Sequence, residues 1–484
     1  MKKLNFIIKC GLALLLLSFY SCESWLNVTP SDRLSEEMLF NDREGFVKAL
    51  NGVYIELNTN ELYGRNLTAG ALDVMGQYYS VASSSHVFYN YGGLVYTGND
   101  EKALFDNMWQ KCYAVIACCN TIIEKCDENK AGLSPVWRGA IKGEALALRA
   151  MLHFDMLRLF GPLTSELDKE SIPYQTNSDQ TVTPLLSGSE VVGLILDDLK
   201  NAVGLLKDTD PYFVEEEFSD TDLNYRRFRM NYFAAKGLMA RVQLWGGDKE
   251  KAAATAKEVI AEGQAEGAEF FPFVTNSEAT SSNPDRVFYS EVLFGTYHSS
   301  REKLHEDLFA PTLESTSILT LAGTARRDDL YDNENDYRYS VWSTYNKNGT
   351  SVLYHRKFEK QDNVTASRQY MIPLIRMSEM YLIAVECCKL DEASVYLNTF
   401  RNARNCNSLA LTEDNRINIL ANEYKKEMLG EGQLFFFYKR QEMVNIPDGN
   451  QATGTKNVEL AKYVVPLPES ETDQRISSTD ISNE

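Results

Sequence analysis

The chain predicts a mainly α protein built from helix pairs in one body, with irregular loops and a few short strands. Three stretches carry that prediction. Phe105, Trp109, Cys112, Ile116, Cys119, Ile123 and Cys126 recur at alternating four- and three-residue steps, which makes one apolar helix face. Residues 137–160 bear two stripes. One is large and apolar (Ile141, Ala145, Leu148, Leu152, Met156, Leu159); the other is small (Gly139, Gly143, Ala147, Ala150). Small side chains let a second helix approach closely, so this helix has two faces to bury. Residues 229–245 and 249–263 read as two helices joined across Gly246-Gly247-Asp248.

Taken in order, residues 1–21 read as an export signal. Lys2 and Lys3 open it, and the apolar run around Leu12–Leu17 is shorter than the ~20 residues of a membrane span. Ser21 stands directly before Cys22, as lipoprotein processing requires, so Cys22 is the expected lipid attachment point. Residues 22–41 form the linker behind it. A helical N-terminal part, 42–270, begins with Asp42 capping a helix whose stripe is Phe46, Leu50, Val53 and Leu57. Residues 63–99 lack a helical period and read as a long structured loop. The helix at 100–128 should pair with that at 137–160, because the connection is short. Gly161 is expected to end the latter in a left-handed conformation before Pro162.

Ser189 reads as the cap of a helix carrying Val192, Ile195, Leu199, Val203 and Leu206. Ala240, Ala252 and Ala256 stand where tetratricopeptide repeats carry small residues. The C-terminal part, 271–484, is expected to pack into the same body. It begins irregularly, with short strands expected at 287–289, 292–294 and 351–358. Two more helix pairs follow, 376–390 with 392–404 and 416–429 with 434–443.

Composition narrows the function. The formal charge is −19; losing Lys2, Lys3 and Lys9 with the leader leaves 46 basic side chains against 68 acidic ones, a net −22. That argues against nucleic acid or an anionic membrane face as a direct partner. The nine cysteines show no CxxC or other metal spacing, and the adjacent pairs 118–119 and 387–388 are badly placed for disulfides. They read as small buried thiols. The five histidines form no HExxH, and neither a GxSxG elbow nor a phosphate-binding loop occurs. His153 reads as a packed ring. Glu144 and Glu379 read as helix ion-pair members, with Arg149 or Arg376 as partners.

Several blocks, in this order, resemble the SusD/RagB family of outer-membrane nutrient-binding lipoproteins. They are Ser21-Cys22 with Trp25-Leu26; Trp109 and Tyr113 with Cys119-Asn120-Thr121; Lys142-Gly143-Glu144-Ala145 through Arg149-Ala150 to Arg158-Leu159-Phe160-Gly161; Arg376 to Leu382; Leu397 to Arg401; and Pro466-Leu467-Pro468-Glu469. Glu423-Tyr424 stands where the family commonly has Glu-Arg, and Gln433 where it often has Arg; these departures imply a lost internal ion pair.

The resemblance implies a single SusD-like domain of tetratricopeptide-like helix pairs. It implies a surface-exposed lipoprotein of the outer membrane that binds a glycan and delivers it to a SusC-like TonB-dependent transporter. No enzymatic activity and no required cofactor are implied, although some members bind calcium. Residues Asp328, Asp329 and Asp332–Asp336 form an acidic loop with oxygens of the right kind, read here as a solvated loop. A peptide or other nutrient is the alternative ligand, and a lipid-anchored glycoside hydrolase the alternative class.

A glycan site needs aromatic rings for sugar C–H faces and short polar groups for hydroxyls. Two clusters fit: Tyr78, Tyr79, Tyr89 and Tyr91 with Asp73, Gln77 and Asn90; and Tyr339, Trp342 and Tyr345.

Overall fold

The computed structural model describes residues 36–179, 182–267, 269–473 and 475. The export signal, Cys22 and most of the linker lie outside these residues. Helix α1 (Arg43–Leu57) starts at Asp42, whose carboxylate accepts from the Gly45 amide at 2.9 Å. Helices α2 (Asn99–Glu128) and α3 (Pro135–Phe160) are the long core helices. Pro135 occupies the first turn of α3, where its missing N–H leaves nothing unsatisfied. Helix α4 (Gly188–Thr209) lies on the small-residue face of α3. A Cβ on Gly139 would sit 2.6 Å from Thr209 Cγ2, and one on Gly143 would sit 2.8 Å from Leu206 Cγ. On the α2 side, Trp109 meets Phe160 edge-on, ring centres 5.0 Å apart. So α3 is sandwiched, and α2 is its pair, as the spacing implied.

Helices α5 (Tyr232–Trp245) and α6 (Lys249–Gly263) form the next pair. Gly247 at φ +82° makes the turn, and Asp248 caps α6 by accepting from the Lys251 amide. The buried Ala240, Ala252 and Ala256 let the pair close. The stack continues through α7 (Met377–Cys387), α8 (Leu390–Asn402), α9 (Arg416–Glu427) and α10 (Gln433–Arg440). Helix α6 packs on α7, α7 on α8 and α9, and α9 on α10. One apolar core runs from Phe40 to Val465.

The strands are short antiparallel pairs. Strand β1 (Glu170–Pro173) pairs with β2 (Leu185–Ser187). Strand β3 (Val292–Tyr297) is followed by the hairpin β4 (Trp342–Lys347) and β5 (Thr350–His355), then by β6 (Met371–Arg376), which pairs back on β3. Strands β7 (Asn445–Pro447) and β8 (Thr455–Asn457) form a last pair.

Several local expectations are corrected. Gly161 is extended, at φ −74° and ψ 172°; glycine is needed because a Cβ would come 2.5 Å from the Leu157 carbonyl oxygen. The cap of α4 is Ser187, not Ser189. Ser187 and Glu190 satisfy each other's backbone N–H groups in a capping box. Residues 287–289 are no strand, because Phe288 is left-handed at φ 53°. Trp342 and Tyr345 lie on a strand, Trp342–Lys347, that was not among the expected ones. The stretch 63–99 is turns with two short helices, Ala71–Met75 and Tyr89–Gly92.

The ion pairs are also re-drawn. Glu144 binds Arg226 and Arg229, Glu379 binds Arg241, and Arg149 binds Asp198 across to α4. Glu423 keeps three cationic partners, and Gln433 accepts from Arg158 at 2.8 Å. So the departures at Tyr424 and Gln433 leave no carboxylate stranded there. His153 is fully buried, with Nδ1 beside the Arg149 carbonyl; burial pulls its pKa down to about 3. Among the described cysteines, Cys112, Cys119, Cys126, Cys388 and Cys406 are buried, Cys387 is half-buried and Cys118 is exposed; all are free.

Candidate functional site

Most of the first aromatic cluster turns inward. Asp73 sits in the short helix Ala71–Met75 and is buried. Its carboxylate accepts from the amides of Gly430 at 2.6 Å and Gly432 at 2.9 Å, and from the Tyr79 hydroxyl at 3.2 Å. Burial pushes the Asp73 pKa up to about 7, and the two glycine amides hold it from going further. Gly432 must be glycine, since it is left-handed at φ +70° and a Cβ would lie 2.3 Å from the Leu67 carbonyl oxygen. Gln77 donates to the Gly92 carbonyl, and Tyr78 to the Tyr424 carbonyl. Tyr91 packs against Phe88 and Phe105. Asp73, Gln77, Tyr78, Tyr79 and Tyr91 therefore brace the loop from inside and have no face for a ligand.

Trp342 is corrected in the same way. It is buried, its indole N–H donates to the Tyr331 hydroxyl at 3.2 Å, and its ring lies 5.2 Å from His355. Tyr339 is half-buried, with the Arg327 guanidinium 4.7 Å over its ring. Asn90 is half-buried and donates to Glu101. Tyr89 and Tyr345 are different: each is 44% exposed.

Residues 310–321 form a strap that links the surroundings of these two rings. On one side, Val87 N donates to the Thr316 carbonyl and Ser80 N to the Thr320 carbonyl. The His86 ring joins them. Phe88 N donates to its Nδ1, so Nε2 carries the proton and donates to the Ile318 carbonyl at 3.2 Å. On the other side, the Thr320 hydroxyl donates to the Leu353 carbonyl of β5. Lys347 donates to the carbonyls of Thr312 and Leu313. Strand alternation puts Tyr345 on the Lys347 face of β4, opposite Trp342. The strap thus has Tyr89 and the exposed Val87 on one flank and Tyr345 on the other. The strap itself carries no aromatic residue or motif, and sequence reading missed it.

The acidic loop is largely solvated, with Asp328, Asp329, Asp332 and Glu334 exposed and Asp336 buried. Asp332 pairs with Arg401 and Lys426, and Asp336 with Arg338. Among the described residues no group of three His, Cys, Asp or Glu side chains is placed to hold a metal ion. Among them, too, no helix is long and apolar enough to cross a membrane.

Two family models match the chain. The SusD-like model described as "Starch-binding associating with outer membrane" covers residues 24–244, and the SusD family model covers 283–476. A SusD-like protein of Formosa agariphila is 23% identical, over 96% of this chain and 96% of its own. Among solved structures, a SusD-like carbohydrate binding protein of Bacteroides vulgatus superposes with a TM-score of 0.69 at 20% identity, covering 89% of this chain and 96% of that one. A laminarin binding SusD-like protein gives 0.64 at 17% identity, covering 89% and 97%.

Proposed function

Since the chain belongs to the SusD family, we propose that it is a surface-exposed outer-membrane lipoprotein, anchored at Cys22, that binds a glycan and passes it intact to a SusC-like TonB-dependent transporter. The observation that carries the binding reading is the pair of exposed rings, Tyr89 and Tyr345, flanking one hydrogen-bonded strap. A sugar chain laid over the strap would stack on both rings. Its hydroxyls would meet Asn90 on one flank and Tyr339 on the other. The names of the laminarin binding and carbohydrate binding relatives support the ligand class. Carbonyls tied down by Ser80, Val87, His86 and Lys347 keep the flanks in place, so little ordering is needed on binding.

Calorimetry with laminarin and starch oligosaccharides tests this. The Tyr89→Ala/Tyr345→Ala double variant should lose about tenfold in affinity per ring, on the scale of ~1–3 kcal/mol known for ring stacking. Its melting temperature should be unchanged, because both rings are exposed. Unaltered affinity would remove the strap from the site. Release of reducing ends from either polysaccharide would replace binding by hydrolysis.

A further inference from the structure

A cleft of about 200 Å³ opens between α1, α3 and residues 211–229. Its walls are aromatic. Phe218 packs on Trp137 with ring centres 4.5 Å apart, and Tyr225, 38% exposed, stands at the rim. Its floor is ionic but balanced. Glu144 accepts from Arg226 and Arg229, and Arg226 also holds Asp210. Asp222 in the lining and Arg43, 4.8 Å over the Trp137 ring, complete the set, so three cations face three carboxylates and the cleft selects neither an anion nor a cation.

Hydrogen-bond capacity is left over. The Trp137 Nε1–H is buried without a partner among the described residues. Arg229 uses Nε and Nη1 on Glu144 and Asn51, leaving Nη2 without a partner among the described residues. A row of rings leads outward from the rim. Tyr225 meets Tyr297 at 6.0 Å, and Tyr297 meets Tyr370 at 5.2 Å. The volume falls below the ~300–1,000 Å³ of sites for drug-sized ligands, which suits a single ring.

We propose that this cleft is a second saccharide subsite that takes one uncharged sugar ring, the rest of the oligosaccharide leaving over Tyr225, Tyr297 and Tyr370. The ring's C–H face lies on Phe218 and Tyr225, and a hydroxyl oxygen accepts from Arg229. The inference rests on the glycan-binding reading and extends it to a site that shares no residue with the strap.

Fluorine NMR of 5-fluorotryptophan-labelled protein reads the cleft, with the Trp137 signal assigned through Trp137→Phe. Laminarin and starch oligosaccharides should shift that signal saturably, both in the wild type and in Tyr89→Ala/Tyr345→Ala. Tyr225→Ala should weaken this titration roughly tenfold while leaving calorimetric binding at the strap in place. A silent Trp137 signal, alongside binding that the strap variant abolishes, overturns the second subsite and spares the proposed function. So does a Trp137 shift that disappears with the strap rings. No heat and no shift with either oligosaccharide overturns both.

Discussion

Helices α3 and α4 and the surroundings of α9 solve burial in opposite ways. The first pair closes on missing side chains: Gly139 and Gly143 admit Thr209 and Leu206. Its ionic links are two small clips: Arg149 to Asp198, with both N–O distances at 2.7 Å, and Arg226 bridging Glu144 to Asp210 at the end of α4. Around α9 the core is instead a connected ionic network. Lys357, Arg338, Arg376, Arg401, Arg404 and Lys426 interlock with Glu291, Asp332, Asp336, Glu423, Glu427 and Glu431. Six cations meet six carboxylates, so the network carries no net charge. Arg404 and Glu291, 2.6 Å apart, are wholly buried within it.

The contrast teaches where each half is vulnerable. A packed face of small residues tolerates pH and salt, and fails when volume is added. A buried network tolerates neither the loss of a member nor the loss of a charge. Glu427 shows why. Burial pushes its pKa up, but Arg404 and Arg376 more than reverse this and hold it well below the usual carboxylate range. Glu423 is likewise depressed, by Arg338, Lys426 and Arg401 acting against its burial.

The largest effect is expected at Glu427. Glu427→Ala strands Arg338, Arg376 and Arg404 without a shared partner and should cost ~3–5 kcal/mol in chemical denaturation. A loss under 1 kcal/mol would show that the network is not cooperative.

Next comes acid. Because the folded pKa values of Glu423 and Glu427 are depressed, their contribution is full above the unfolded value near ~4.3. It is lost as pH falls through the folded values. Hydrogen exchange on acidification should therefore show α9 losing protection before α3. The reverse order would break the contrast.

Gly143→Val should then destabilise by about 1–3 kcal/mol through overpacking against Leu206. By comparison, Gly193→Ala on α4, with nothing within 4 Å of the added Cβ, should stabilise by at most ~1 kcal/mol. Equal effects at the two glycines would mean that close approach of the helices is unimportant.

The last effect is a pH dependence at one group, Asp73. Its folded pKa is raised to about 7, so its contribution is full below the unfolded value near ~3.9 and declines as pH rises to about 7. The stability gap between wild type and Asp73→Asn should narrow over that range. A gap that widens would place the charged form, not the neutral one, as the better guest of Gly430 and Gly432.

The helices were legible because their information is local. Heptad spacing from Phe105 to Cys126, the two stripes of α3 and the glycine turn at 246–247 each lie within a few turns of chain. The small face of α3 even announced a close partner, though not that Leu206 and Thr209 would supply it. Capping was legible where Asp42 stood alone and misread at Ser187, where two serines competed and the reciprocal Glu190 decided.

The candidate site was less legible. Tyr78, Tyr79 and Tyr89 look alike in the sequence, yet Tyr78 and Tyr79 reach Tyr424 and Asp73 inside, while Tyr89 faces out. Trp342 and Tyr345 differ by the parity of a strand whose existence the sequence did not reveal.

The sequence by itself determined the helical register, the paired architecture and the family, because periodicity and ordered motifs are written along the chain. Tertiary structure alone decided which rings meet solvent and which charges meet each other. Glu291 and Arg404 lie 113 residues apart, and the strap reaches both Val87 and Lys347. Exposure is the remainder left after every other segment has packed, so no single stretch of chain contains it.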